Sequence, residues 1–386
     1  MKYLGIEASD LIKSGGIHTA REICQQPELW KKAFEEIKHQ EAAIAKFMDE
    51  ALANTERIIL AGAGTSAFIG LSLRGVFQRN SGIATDCVAT TDIVSHPKDY
   101  LTPEIPTLLI SFARSGNSPE SVAAIALADE ICHTCYHLII TCNAEGKLAH
   151  YSSKSRHYII NLPPESNDQS LAMTSSYSTM LLVGLLIAKL KDLKNAESSV
   201  ETVIKYGRKL IELYAGDFRE IAKKDFRRAV FLGSGPFFGT ATESHLKLQE
   251  FTDGKVICKN DSYLGFRHGP KAVVDETTLV VYLLTNNAYA YHYERDLILA
   301  MKKGTPPLLE IGISESEIKD IKLQHAFQLS ENGKSVEEEF LAVCYIIPAQ
   351  LLGFFKSLAS GLMPDAPSAT GAITRVVEGV NIYSLT

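Results

Sequence analysis

After a charged amphipathic stretch from Glu28 to Asn54, the chain alternates short apolar runs with longer segments of helical period. The short runs predict strands at Arg57–Ala61, Thr85–Val88, Thr107–Ser111, His137–Thr141 and His157–Asn161. Between them, apolar residues recurring at the 3.6-residue period predict helices over Ser66–Arg79, Pro119–Cys132 and Thr174–Lys191. Strand and helix in regular alternation imply an α/β fold, a mostly parallel sheet flanked by helices. A polar helical region from Lys191 to Lys224 breaks the rhythm, and then the opening pattern returns. Ala229–Leu232 runs into Gly233, Ser234, Gly235 and Pro236 much as Arg57–Ala61 runs into Gly62, Ala63, Gly64 and Thr65, which reads as two copies of one unit in tandem. The second copy continues with strands near Lys255–Cys258, Thr278–Leu284 and Leu308–Ile313 and a long helix from Val336 to Leu358. Beyond Gly361 the period is lost, and Pro364, Pro367 and Gly371 predict an extended arm. The expected divisions are a helical segment over 1–54, domains over 55–200 and 201–360, and the arm over 361–386.

A length of 386 residues suits two cores better than one. With 46% hydrophobic and 22% charged residues, the composition is that of a well-buried globular protein. The formal charge of −6 is spread along the chain with no basic stripe, so nucleic acid is not an expected partner. Glu7 and Asp10 interrupt the first residues, and the longest apolar run, Met180–Ala188, stops at Lys189; neither a secretory signal nor a membrane span is expected. Seven scattered cysteines point to a reducing, cytoplasmic setting. Cys132 and Cys135, with His133 and His137, lack the second cluster a four-ligand zinc site needs, and they follow a helix whose C-terminal dipole disfavours a thiolate. They read as small apolar residues ahead of a strand, and no metal or cofactor is expected.

Three constellations carry candidate chemistry. Gly62, Gly64, Thr65 and Ser66 stand where a strand gives way to a helix, a place that favours an anion and is also an ordinary way to start a helix. Arg114, Ser115, Gly116, Asn117 and Ser118 precede Pro119 at the next strand end, where hydroxyls, amides and one guanidinium can wrap a phosphate without metal, or simply cap a turn. Glu243, Lys247 and Glu250 fall at helical spacing on one face, and His268 lies in the loop beyond; spacing alone favours a solvated ion-paired face over catalysis.

The strand with Gly64, Thr65 and Ser66, and the strand with Ser115, Gly116, Asn117 and Ser118, resemble the sugar isomerase (SIS) family, here present twice. The chain is similar to the isomerase half of glucosamine-6-phosphate synthase and, over nearly its whole length, to the AgaS-type galactosamine-6-phosphate deaminases. The segments Thr19–Ile23, Leu264–Pro270 and Arg375–Val380 carry the narrower likeness. The resemblance implies two SIS domains, with Gly64, Thr65, Ser66, Arg114, Ser115 and Ser118 around a sugar phosphate. It implies Glu250 as the proton shuttle between C1 and C2, His268 as the ring opener and Lys247 beside them. It further implies a homodimer in which the histidine matching His268 reaches the neighbouring active site. Ala113 stands where the synthase-type motif has a serine, and Gly265 where it has a glutamate.

The implied reaction is deaminating isomerisation of galactosamine 6-phosphate to tagatose 6-phosphate and ammonium, in amino-sugar catabolism. Residue 2 is Lys2, not the cysteine of a glutamine-dependent synthase, which favours the deaminating direction. Aldose–ketose isomerisation without deamination, and a sugar-phosphate sensor, are the alternatives. The sensor is disfavoured by Glu250 and His268 and by the lack of a helix-turn-helix segment or basic extension ahead of the first domain.

Overall fold

The computed structural model describes residues 1–334, 336–377 and 379–385. They pack as two compact units, each assembled from separate stretches of chain. The first gathers Glu28–Asp168, Ser175–Glu197 and the residues from Ile373 onward; the second gathers Met1–Pro27, Gln169–Thr174 and Ser198–Ala372. Helix α1 (Ile17–Ala53) contributes residues to both. It begins eleven residues before the amphipathic stretch the sequence suggests, because Pro27 sits inside it instead of ending it. Packing of Ala20, Ile23 and Leu29, with a Gln26 Nε2 to Gln350 Oε1 bond of 2.7 Å, outweighs the hydrogen bond proline removes.

In the first unit, strands β1 (Arg57–Gly62), β2 (Ala84–Ala89), β3 (Thr107–Ala113), β4 (Cys135–Thr141) and β5 (Arg156–Asn161) form one parallel sheet in the order β2-β1-β3-β4-β5. Helices α2 (Thr65–Ser81), α3 (Pro119–Ile131) and α4 (Ser175–Ala188) belong to the same unit. Every residue of the central β3 is buried, as a strand covered on both faces requires, whereas edge strands β2 and β5 are partly exposed. Ile59, Ala61, Leu109, Ala113 and Ile139 pack with Ala124, Ile125 and Ala128 of α3.

The second unit repeats this architecture. Strands β6 (Arg228–Leu232), β7 (Ile257–Asp261), β8 (Thr278–Leu283), β9 (Leu309–Ser314) and β10 (His325–Gln328) lie in the order β7-β6-β8-β9-β10, all parallel. Renumbered from its first strand, each sheet reads 2-1-3-4-5, and the correspondence extends to single hydrogen bonds. Glu56 N and Arg57 N both donate to Pro106 O, and Arg227 N and Arg228 N both donate to Thr277 O. Helix α5 (Phe237–Phe251) follows β6 as α2 follows β1, and α6 (Ala288–Met301) follows β8 as α3 follows β3. The expected helix from Val336 to Leu358 is two, α7 (Glu338–Cys344) and α8 (Ile347–Ala359), with Pro348 in the first turn of α8, where no intrahelical N–H is needed. Together they span a stretch long and apolar enough to cross a membrane, and 89% of it is buried within the protein. From Leu362 onward the described residues form neither helix nor strand.

Candidate active site

In an open parallel sheet ligands bind beyond the carboxyl ends of strands where the strand order reverses, which for a 2-1-3-4-5 order lies between the first and third strands. In the first unit that point is flanked by the ends of β1 and β3. Gly62 lets α2 close tightly over β1, since a Cβ there would lie 2.5 Å from the Ser66 carbonyl carbon. Gly64 follows with φ +55°, and Thr65 and Ser66 open α2, both buried. Ser66 N and Ala67 N donate to Ala63 O and Gly64 O at 3.1 and 2.9 Å, and the positive end of the α2 dipole lies at this strand end.

Beyond β3, the loop of Ser115 to Ser118 is held rigidly. Asn143 Nδ2 donates to Ser115 O at 2.8 Å, Leu148 N to Gly116 O at 3.0 Å, and Lys147 N to Asn117 Oδ1 at 3.0 Å. Ser115 Oγ accepts from Asn117 N at 3.2 Å, and Ser118 Oγ shares a 2.8 Å bond with Ser121 Oγ. Pro119 is the first residue of α3. Thr65, Ser66, Ser115 and Ser118 are thus brought to the same reversal point from two strand ends. Arg114 is buried, and its guanidinium donates to Arg375 O, while Arg375 donates to Asp168 O at 2.8 Å and Asn167 Oδ1 at 2.8 Å. Sequence reasoning missed Ser121 and Arg375 as members of this region. The repeat of serine at the third residue after Ser118 is a signal for the first, whereas the second needed a contact across 261 positions.

The matching point of the second unit is built from carboxylates. Thr285 Oγ1 donates to Glu338 Oε2 at 2.5 Å, Thr285 N to Glu294 Oε2 at 2.9 Å, and Asn286 Nδ2 to Glu315 Oε2 at 2.5 Å. Burial pushes Glu294 up to about 8. Here the donors Thr285 and Asn286 at the strand end are bonded to the chain's own acids.

The other candidates lie on α5 and the loop after it. Lys247 is fully buried, with Nζ 2.5 Å from Glu250 Oε2 and 3.2 Å from Glu243 Oε1. Burial acts to discharge the lysine, and the two carboxylates outweigh it, so its pKa stands above the ordinary value. Glu243 is fully buried and Glu250 retains 20% side-chain exposure, so the inner acid holds the lysine and the outer one can meet a ligand. Glu243, which the resemblance gives no role, is thus tied to Lys247 in the dry interior; a charged helical face gives no sign of which side is dry. His245, on the same helix, has its pKa lowered by burial. His268 is exposed, and its side chain makes no hydrogen bond or ion pair with the described residues. It follows a short turn in which Ser262 Oγ accepts from Gly265 N at 3.1 Å. A Cβ at Gly265 would lie 2.5 Å from Asp261 Oδ1, so the Asp261 side chain would have to shift to admit one.

Known proteins share this architecture. The SIS domain family profile matches residues 51–190. A protein of Shewanella sp. (strain ANA-3) named D-galactosamine-6-phosphate deaminase AgaS is 40% identical over 383 residues, covering 98% of this chain and 95% of that protein. A solved structure from Clostridium novyi NT is 40% identical, covers 100% of both chains and superposes with a TM-score of 0.96. The structure of tagatose-6-phosphate ketose/aldose isomerase from Escherichia coli is 34% identical, covers 98% of both chains and gives a TM-score of 0.86.

Proposed function

The chain belongs to the SIS-domain family and, within it, to the AgaS-type galactosamine-6-phosphate deaminases, and from that membership we propose that it converts galactosamine 6-phosphate to tagatose 6-phosphate and ammonium. The full-length identity with the Shewanella deaminase carries this reading. Gly64, Thr65, Ser66, Ser115 and Ser118 hold the phosphate, through hydroxyls and the positive end of the α2 dipole. Arg114 supports them indirectly, by tethering the Arg375 segment.

The chemistry needs one base. His268 passes the proton between ring oxygen and O1 and so opens the sugar. Glu250, as carboxylate, removes the C2 proton while O1 gains one, and the electron pair of the C2–H bond forms the C1–C2 double bond of an enolamine. The proton returns to C1, leaving a ketimine at C2. Water adds to that carbon and the C–N bond breaks, yielding the ketose and ammonia, which leaves as ammonium. Lys247 keeps Glu250 ionised and aimed, and Glu243 keeps Lys247 charged without burying a net cation. An exposed His268 without side-chain partners among the described residues suits a homodimer in which it serves the neighbouring subunit. The seven cysteines are all free thiols, which suits a reducing cytoplasm.

Incubating the purified protein with galactosamine, glucosamine and N-acetylgalactosamine 6-phosphates, and assaying ammonia and ketose, tests the reading. Ammonia from galactosamine 6-phosphate is expected. A second reading, isomerisation of tagatose 6-phosphate with no nitrogen involved, is favoured by the name of the Escherichia coli structure. Aldose formation from tagatose 6-phosphate with no ammonia from any amino sugar would establish it instead.

A further inference from the structure

Behind the turn that carries His268, the second unit contains a cavity of about 420 Å³ lined by Arg267, Gly269, Lys271, Ala272, Val274, Ala300, Met301, Gly304 and Thr305. Its volume lies in the range of small-molecule pockets. Three properties set it apart. Its charged lining consists of Arg267 and Lys271, with no carboxylate among the lining residues, in a chain whose formal charge is −6. Neither cation makes a hydrogen bond or ion pair with the described residues, whereas the neighbouring Arg228 is spent on Asp275 at 2.7 Å and Arg295 on Asp320 at 2.6 Å. The pocket also touches the carboxyl end of α6, whose dipole would repel an anion, but Lys303 N and Gly304 N already donate to Ala300 O and Met301 O.

We propose that this cavity is a second anion site, which binds a phosphate group between Arg267 and Lys271, with Val274, Ala300 and Met301 against the apolar body of a phosphate ester. A guanidinium and an ammonium set four positions apart present the fork and the point charge that phosphate recognition uses. Arg267 and Gly269 flank His268, so an occupant of the cavity also fixes the turn on which that histidine stands. Its residues all belong to the second unit and none is shared with the phosphate seat at the ends of β1 and β3, and the proposal does not depend on the reaction assigned above.

Calorimetric titration with inorganic phosphate, and separately with glucose 6-phosphate, in physiological salt distinguishes the two sites. Three proteins are compared: the unaltered chain, Ser115→Ala/Ser118→Ala, and Arg267→Gln/Lys271→Gln. The unaltered chain should bind two ions per chain. The serine variant should keep the second site, and Arg267→Gln/Lys271→Gln should weaken that site at least about tenfold while keeping the first. Tighter binding of the ester marks the occupant as a phosphate ester, and equal binding marks it as free phosphate. One ion per chain, lost in the serine variant, would overturn the proposal, as would a second site indifferent to Arg267→Gln/Lys271→Gln. Both altered cations are exposed, so circular dichroism should show an unchanged fold.

Discussion

Replacing Lys247 with methionine removes the one cation between Glu243 and Glu250 while keeping the length of the side chain. Glu250 is partly exposed and can be hydrated, but Glu243 is fully buried and loses the cation 3.2 Å away. Breaking a buried pair by removing one partner costs about 3–5 kcal/mol. An independent bound comes from protonation: neutralising a glutamate of ordinary pKa about 4.3 at pH 7 costs about 3.7 kcal/mol, and at pH 5 only about 1 kcal/mol. The two figures agree at neutral pH and predict how the loss varies. Without Lys247 the folded pKa of Glu243 rises above its unfolded value, so the folded state binds the extra proton and stability falls as pH rises. Urea unfolding of Lys247→Met should therefore show a loss of about 3–4 kcal/mol at pH 7 that shrinks to about 1 kcal/mol at pH 5. Adding Glu243→Met should remove the pH dependence and bring stability to within about 1–2 kcal/mol of the parent, since an apolar pair of similar volume needs no counter-ion. A loss below about 1 kcal/mol at pH 7, or one equal at both pH values, would refute the reasoning that Glu243 depends on Lys247 for its charge.

Ser115→Ala/Ser118→Ala should weaken every 6-phosphorylated sugar by a similar factor and leave unphosphorylated sugars unaffected, each lost bond being worth about 1.5–3 kcal/mol. Inhibition constants for phosphorylated and free sugars check this, and a change confined to preference among epimers would contradict it. Gly62→Ala should cost about 1–3 kcal/mol or more and abolish phosphate binding, because its Cβ would lie 2.5 Å from the Ser66 backbone at the start of α2. Thermal unfolding with and without phosphate measures both effects.

The parallel strands were legible because burial on both faces leaves near-continuous apolar runs, most plainly in Thr107–Ala113 and Thr278–Leu283. His325–Gln328 was not, since a short edge strand is templated by β9 and carries no pattern of its own. Pro27 hid the true start of α1, and the unbroken apolar period from Val336 onward hid the division between α7 and α8. In the site, spacing alone placed Glu243, Lys247 and Glu250 on one face. That this face is dry at Lys247 and open at Glu250 depends on packing from distant segments, as does the engagement of Arg114 by the Arg375 carbonyl. The second unit's carboxylate-filled reversal point was likewise invisible, because Thr285, Glu294 and Glu338 meet only after folding.

Glu250 is the proposed base that moves hydrogen between C2 and C1, and exchange of the galactosamine 6-phosphate C2 hydrogen in deuterated water tests that role directly. Exchange requires the base but not hydrolysis of the imine. The unaltered enzyme should exchange that hydrogen, and Glu250→Gln should bind the sugar phosphate while exchanging about 10²–10⁴-fold more slowly. Exchange by Glu250→Gln at the unaltered rate would reduce the carboxylate to a partner of Lys247 and contradict the mechanism.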